Sequence, residues 1–436
     1  MSLKSELAKV ISLESQRPDE PSLEDDLLIQ GDLGGDLGMC TRLLDEIQRM
    51  ESVRDSLEQL AHCTRSMESI TPSERALIEI ASNMALAGSG KTYTTFYPSL
   101  EDINSLTVSN EAIGDVVKNL LTRILKALAE LAKAFIAFWG KIFSYVSILR
   151  RANARMAARA DAAVGRDVAN KTIQLSSELS SLTVRGLVPN NATDIVRSLN
   201  EGRRQTKVMM NTYVGNVIKV GEDLVKALSR PETMSPEDYL NGAMHAASGL
   251  RLEFLASALT ARQYRDPRFN ESVMAAPPLM GDKSIFIDIP DDDRDTLLGK
   301  AERLRSCKAA VLDTDGNSAT IPAEQAFPTV PARMVAQMAE VIEGILGEIE
   351  NFANGSSGTA ITKLTAKLLD TTNSAKSVVF SDDLTQLDTQ YYAAALRFNT
   401  AFVAWAEGPQ NALATLMLSA CRGAMIVGNK SLKQHD

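Results

Sequence analysis

The sequence predicts a mainly α-helical protein: a long amphipathic helix followed by an α-helical domain, with a small β insertion near 270–330. Three observations predict this. First, 44% of the 436 residues are hydrophobic but only 5% are aromatic, so the core is built mostly from Ala, Leu, Ile, Val and Met, which suits helices better than a β-sandwich. Second, the 15 prolines are unevenly spread: none occurs from 99 to 188 or from 332 to 408, while seven fall between Pro267 and Pro331. Proline breaks helix interiors, so long helices fit the proline-free stretches. Third, after Glu111 apolar residues recur in steps of three and four, at Ile113, Val117, Leu120, Ile124, Leu128, Leu131, Phe135, Phe138, Ile142, Val146 and Leu149, which is one face of a long helix.

Taken in order, residues 1–40 are polar and glycine-rich and read as weakly ordered. Residues 41–69 fit one amphipathic helix. Thr71, Pro72 and Glu74 form a helix start with a capping box, for a helix ending at Gly88. The long helix from 112 continues into the Ala- and Arg-rich run Arg150–Arg166, which favours helix. Further helices are expected at 193–229, 236–264, 293–311, 331–350, 358–373 and 384–426, the second opened by Ser235-Pro236. Two short apolar runs, Ser284–Ile289 and Ala309–Leu312, are expected to pair as a small hairpin or sheet. The chain therefore divides into an acidic, partly disordered segment 1–111, a long basic amphipathic helical segment 112–185 and a mainly α-helical domain 186–436.

Charge follows the same division. The formal charge of −9 argues against a dedicated nucleic-acid binder on global charge. Residues 1–111, however, hold 20 acids and 9 bases, which leaves 35 acids and 37 bases in 112–436. From 112 to 171 there are 11 bases and 4 acids. The bases Lys118, Arg123, Lys126, Lys133, Lys141, Arg150, Arg151, Arg155 and Arg159 are candidates for DNA or membrane contact. DNA contact would be sequence-independent, because no base-reading motif accompanies them. On a membrane, Phe135, Phe138, Trp139, Phe143 and Tyr145 would form the aromatic end. The competing reading makes the apolar face ordinary core. No stretch of about 18 uncharged apolar residues stands out, so no ordinary transmembrane helix is expected. The N-terminus is too charged for a secretory signal.

Motifs for catalysis and metals are sparse. Ala85–Thr92, with Gly90, Lys91 and Thr92, fits a permissive phosphate-loop pattern. It follows a helical segment instead of a buried strand, and no clear helix follows it, so a glycine turn is the better reading. Cys40, His62 and Cys63 lack a fourth ligand at metal spacing. Asp313–Gly316 has its glycine misplaced for a calcium loop, and Asp291–Arg294 reads as a solvated helix start. His62, His245 and His435 sit in no nucleophile motif. Cys40, Cys63, Cys307 and Cys421 are too scattered for a disulfide framework and read as free thiols. The expectation is no enzyme, no cofactor and no metal.

One pattern is concentrated. Ser-x-Glu occurs six times in the first 111 residues, ending at Glu14, Glu24, Glu58, Glu68, Glu101 and Glu111. The last lies where the acidic region stops. The order of phrases Tyr97-Pro98-Ser99-Leu100-Glu101 and then Ser109-Asn110-Glu111-Ala112-Ile113-Gly114-Asp115, followed by a basic apolar helix, resembles the internal head proteins of large contractile-tailed bacteriophages. The likeness covers about residues 40–150. It implies a non-enzymatic virion structural protein inside the capsid, present in the host cytoplasm during assembly. It implies as partners the phage prohead protease, capsid or core proteins and, nonspecifically, packaged DNA. It also implies that 1–111 is a propeptide, cut after small-x-Glu. The main site would be Ser109, Asn110, Glu111 and Ala112, with Glu14, Glu24, Glu58, Glu68 and Glu101 secondary. The mature form, Ala112–Asp436, would then be open to ejection with the DNA; a membrane-active ejection protein using 113–149, or a nucleotide binder using Lys91, are the alternatives.

Overall fold

Helix α1 runs from Ile103 to Ala163, 61 residues or about 90 Å. The computed structural model describes residues 103–175, 177–265, 273–290, 294–314, 325–379 and 385–435. The expected helices in 41–88, the phosphate-loop pattern at Lys91, the Cys40–Cys63 cluster and the secondary sites Glu14, Glu24, Glu58, Glu68 and Glu101 lie outside the described residues, as do most of Asp291–Arg294 and Gly316.

α1 starts nine residues before the expected position 112 and passes through Glu111 without a break. It ends where Gly165 takes a left-handed φ of 88°, a conformation glycine adopts at little steric cost. Phe138, Ile142, Val146 and Leu149 are buried, as the periodicity predicts, and Met156, Ala160 and Ala163 extend the buried face. That face packs against α7 (Ala332–Asn354). The helices are antiparallel: Trp139 meets Phe352, ring centroids 4.4 Å apart, and Asn153 Nδ2 donates to the Ala339 carbonyl at 2.9 Å.

The run expected at 193–229 is continuous helix from Ala192 to Leu228. α2 (Ala192–Lys207) and α3 (Val214–Leu228) are joined by a π turn, Val208–Tyr213. The helix expected at 236–264 is shorter. α4 (Pro236–Ser248), capped by Ser235 as predicted, stops at Gly249. Arg251 at φ 49° opens α5 (Leu252–Ala258), and Thr260 at φ 53° lets the chain leave as strand β2 (Arg262–Tyr264). The helix expected at 293–311 is α6 (Leu297–Ser306), and its last expected residues are strand. The helices expected at 331–350 and 358–373 are α7 and α8 (Ser356–Val379).

The expected 384–426 helix is two: α9 (Gln386–Leu396), with a Thr385–Asp388 capping box, and α10 (Phe398–Leu432). α10 contains Pro409, which removes the donor to the carbonyl four residues back. That carbonyl, Trp405 O, instead accepts from the Tyr213 hydroxyl at 3.1 Å. α10 lies at the centre, touching α1, α2, α3, α7 and α8, with Phe402, Trp405, Leu413, Met417 and Cys421 buried.

The two apolar runs pair as expected. β4 (Lys283–Ile287) and β5 (Ala309–Asp313) are antiparallel, Ser284 opposite Leu312 and Ile287 opposite Ala309. They belong to a four-stranded sheet, β2-β3-β4-β5, with β3 at Val273–Ala275. A second, two-stranded sheet joins β1 (Thr172–Leu175) to β6 (Gln325–Pro328). The protein is mainly α with two small sheets.

Candidate functional site

The Ser109-Asn110-Glu111-Ala112 phrase and the nine candidate basic residues share α1. Ser109, Asn110, Glu111 and Ala112 form part of its second and third turns, so the backbone there is helical. Lys118, Arg123 and Lys126 follow on the same helix, ahead of its first described side chains.

Of the remaining bases, Arg150 is committed to the fold. Its Nε donates to Glu343 Oε1 at 2.7 Å, and its terminal nitrogens pair with Glu343 and Glu350 of α7. The hydrogen bond to Glu343 and the fields of both carboxylates outweigh the opposing effect of burial, and hold the guanidinium above its ordinary value. Glu343 and Glu350 are seven residues apart, two turns along one face of α7, which is why a single guanidinium reaches both.

Arg151, Arg155 and Arg159 are exposed. Successive members stand four residues apart and so form one stripe. Arg151 Nε donates to the Ser147 carbonyl and Arg159 Nη1 to Asn429 Oδ1, each at 3.4 Å. Lys133 and Lys141 are exposed as well, and Lys133 pairs with Glu130 at 2.9 Å.

Three of the aromatic residues named for a membrane face lie inside the protein. Phe138, Trp139 and Tyr145 are buried in the core, so they cover no bilayer in this fold. One stretch, Leu387–Leu432, is long and apolar enough to cross a membrane by length and composition, contrary to the sequence expectation, but two thirds of its apolar window (67%) is buried inside the protein. Among the described residues no group of three or more His, Cys, Asp or Glu side chains comes together to hold a metal. Cys307 and Cys421 are buried free thiols. Sequence reasoning missed a cavity beside the four-stranded sheet that takes in Arg185 and Arg262. These two arginines are separated by 77 positions, and no local pattern joins them.

A helical core that includes a long helix with an exposed stripe of arginines defines a mainly α-helical protein. The chain belongs to the phiKZ-like phage internal head proteins, whose family model matches residues 36–429. It is thus a bacteriophage structural protein of the virion head interior. Comparison with curated proteins and with solved structures finds no match.

Proposed function

We propose that this internal head protein enters the assembling head as a full chain and is cut after Glu111 by the phage prohead protease, leaving Ala112–Asp436 as a non-enzymatic packaged protein. Membership of the internal head family carries the reading. The position of the cut is supported by the Ser109-Asn110-Glu111 phrase at the step from acidic to near-neutral chain. Removing 1–111 changes the formal charge from −9 to about +2 and takes Lys91 away, so the mature form uses no phosphate loop.

A protease engages an extended segment, so the helical turn at 109–112 must open first. It lies within the first ten residues of α1, where local opening costs least. The mature protein meets packaged DNA without sequence preference through Arg151, Arg155 and Arg159, with Lys133 and Lys141 extending the surface and Lys118, Arg123 and Lys126 as further candidate contacts. It meets capsid or core proteins in the head, passes through the host cytoplasm before assembly and leaves with the DNA on ejection. The membrane reading is weaker, because Phe138, Trp139 and Tyr145 are already spent in the core.

The test is peptide mapping by mass spectrometry of the protein from purified particles. A non-tryptic terminus at Ala112, with no peptides from 1–111, is expected. Intact residues 1–111 in mature particles would refute the cut.

A further inference from the structure

The four-stranded sheet presents one face to a cavity of about 740 Å³, a size that suits a small ligand. Direct cross-strand partners share a face. Arg262 stands opposite Ala275, and Ala275 opposite Phe286. Tyr264 and Ser284, two residues from Arg262 and Phe286, lie on that same face. All five line the cavity. Tyr264 and Phe286 are in edge contact, ring centroids 5.7 Å apart.

A strained turn adds Arg185 to the lining of the cavity. Val184 and Leu187 exchange backbone hydrogen bonds at 3.0 and 3.1 Å, and the two residues between them, Arg185 and Gly186, have φ of 54° and 70°. A two-residue turn with both φ positive normally takes Asn, Asp or Gly first, yet here the residue is Arg185, which lines the cavity. The turn is clamped by Asp282, whose carboxylate accepts from Thr183 Oγ1 and Gly186 N, both at 2.8 Å. Asp282 itself has a φ of 56°, and its carbonyl accepts from Thr314 N at 2.9 Å. On the other side Arg204 donates to the carbonyls of Ala258 and Leu259, at 2.9 and 3.0 Å. This fixes the left-handed Thr260 just ahead of Arg262. Three of the four left-handed non-glycine residues among those described therefore line or brace this one cavity. Strain held in place by surrounding contacts clusters at ligand sites.

The charge is one-sided. The guanidinium groups of Arg185 and Arg262 have no ion-pair or hydrogen-bond partner among the described residues, and no acidic residue is among those lining the cavity. Two guanidinium groups beside an aromatic floor match a phosphate joined to a planar ring. We propose that this cavity binds a nucleotide, its phosphate held between Arg185 and Arg262 and its base against Tyr264. The nucleotide is either free or part of a single strand. The proposal needs neither the cut at Glu111 nor DNA contact along α1.

The test uses the full chain carrying Arg151→Glu and Arg155→Glu, so that the α1 stripe does not compete. It is titrated with thymidine 5′-monophosphate and with a fluorescent pentathymidylate, against inorganic phosphate and a polyglutamate peptide. Arg185→Asn suits the left-handed turn and so keeps the fold, which an unchanged melting temperature verifies. It is expected to weaken binding at least tenfold, as is Arg262→Ala. Equal affinity for the monophosphate and the pentamer identifies a free nucleotide; binding of the pentamer alone identifies a strand. No binding of either at 1 mM, equal binding of polyglutamate or inorganic phosphate, or affinity unchanged in both variants would each overturn the proposal.

Discussion

The Tyr213 hydroxyl donates to the Trp405 carbonyl across a sequence separation of 192 residues. The bond answers a local deficit, because Pro409 supplies no N–H to Trp405 four residues earlier. Tyr213 sits at the end of the π turn between α2 and α3 and is fully buried. Burial pushes its phenol well above the ordinary value, so it stays protonated and keeps its donor. Trp405 is held from its other end as well, its indole N–H donating to the Cys307 carbonyl at 2.8 Å.

Tyr213→Phe should therefore cost about 1–2 kcal/mol, the penalty for a buried carbonyl left without a donor. Pro409→Ala restores the helical N–H. In that background Tyr213→Phe should cost measurably less, by denaturant unfolding of all four species of the cycle. Equal costs in both backgrounds would show that the hydroxyl does not replace the missing donor.

Gly221 in α3 has no room for a side chain. A Cβ there would lie 2.6 Å from Phe402 Cε2 and 3.0 Å from Leu364 Cδ1. Gly221→Ala should destabilise by about 1–3 kcal/mol through overpacking. Gly215→Ala, six residues earlier in the same helix, meets nothing within 4 Å and should stabilise by up to about 1 kcal/mol through helix propensity. Thermal melts of the two variants moving in the same direction would contradict this packing.

Acid sensitivity is predicted at Glu201. Burial raises its pKa, but hydrogen bonds from Arg204 and Gln205 overcome that and hold it below the ordinary 4.5. A depressed carboxylate contributes stability that is present above its unfolded value and lost as pH falls through its folded value. The stability difference between the wild type and Glu201→Gln should thus be constant near neutral pH and shrink below about pH 4.3. A difference that grows on acidification would reverse the assignment.

The arginines of α1 should separate by role. Arg151→Ala with Arg155→Ala should make the dependence of log K for duplex DNA on log salt shallower by about 2, near 0.9 for each phosphate that is no longer neutralised. Arg150→Ala should leave that slope unchanged, because Glu343 and Glu350 already occupy its guanidinium. An equal change from Arg150→Ala would place Arg150 against the DNA.

The two buried thiols should be inert. Burial raises the Cys421 thiol well above its ordinary value, and the thiolate is the reactive form. Cys307 is also buried, its Sγ donating to the Arg303 carbonyl at 3.1 Å. With Cys40 and Cys63 replaced by Ser, a thiol reagent should titrate no cysteine in the native protein and two after unfolding. Native-state labelling would mean that the core opens around α10.

The helical class was legible because its signals are local. Proline-free stretches mark α1, α7 and α8, and Ser235-Pro236 marks the start of α4. The β4–β5 pair was legible from two apolar runs. The β1–β6 pair was not, since Thr172–Leu175 and Gln325–Pro328 carry little pattern and meet only through tertiary packing. Pro409 within α10 misleads in the opposite sense, because its partner Tyr213 is remote in sequence. The same reason hides the cavity: the left-handed Arg185 reads as an ordinary residue until Asp282 is seen bracing its turn. For the candidate site, the sequence showed which residues of α1 are basic, but not that Arg150 is bound to α7.

The central place of α10 bears on how the chain is made. The helix against which α1, α2, α3, α7 and α8 all rest is the last of those described. During synthesis at about 5–20 residues per second, α1, α2, α3, α7 and α8 all leave the ribosome before α10, the element that packs against each of them. The nascent chain must therefore carry sticky surface for many seconds, and a message truncated before Phe398 yields an aggregation-prone product instead of a smaller working protein.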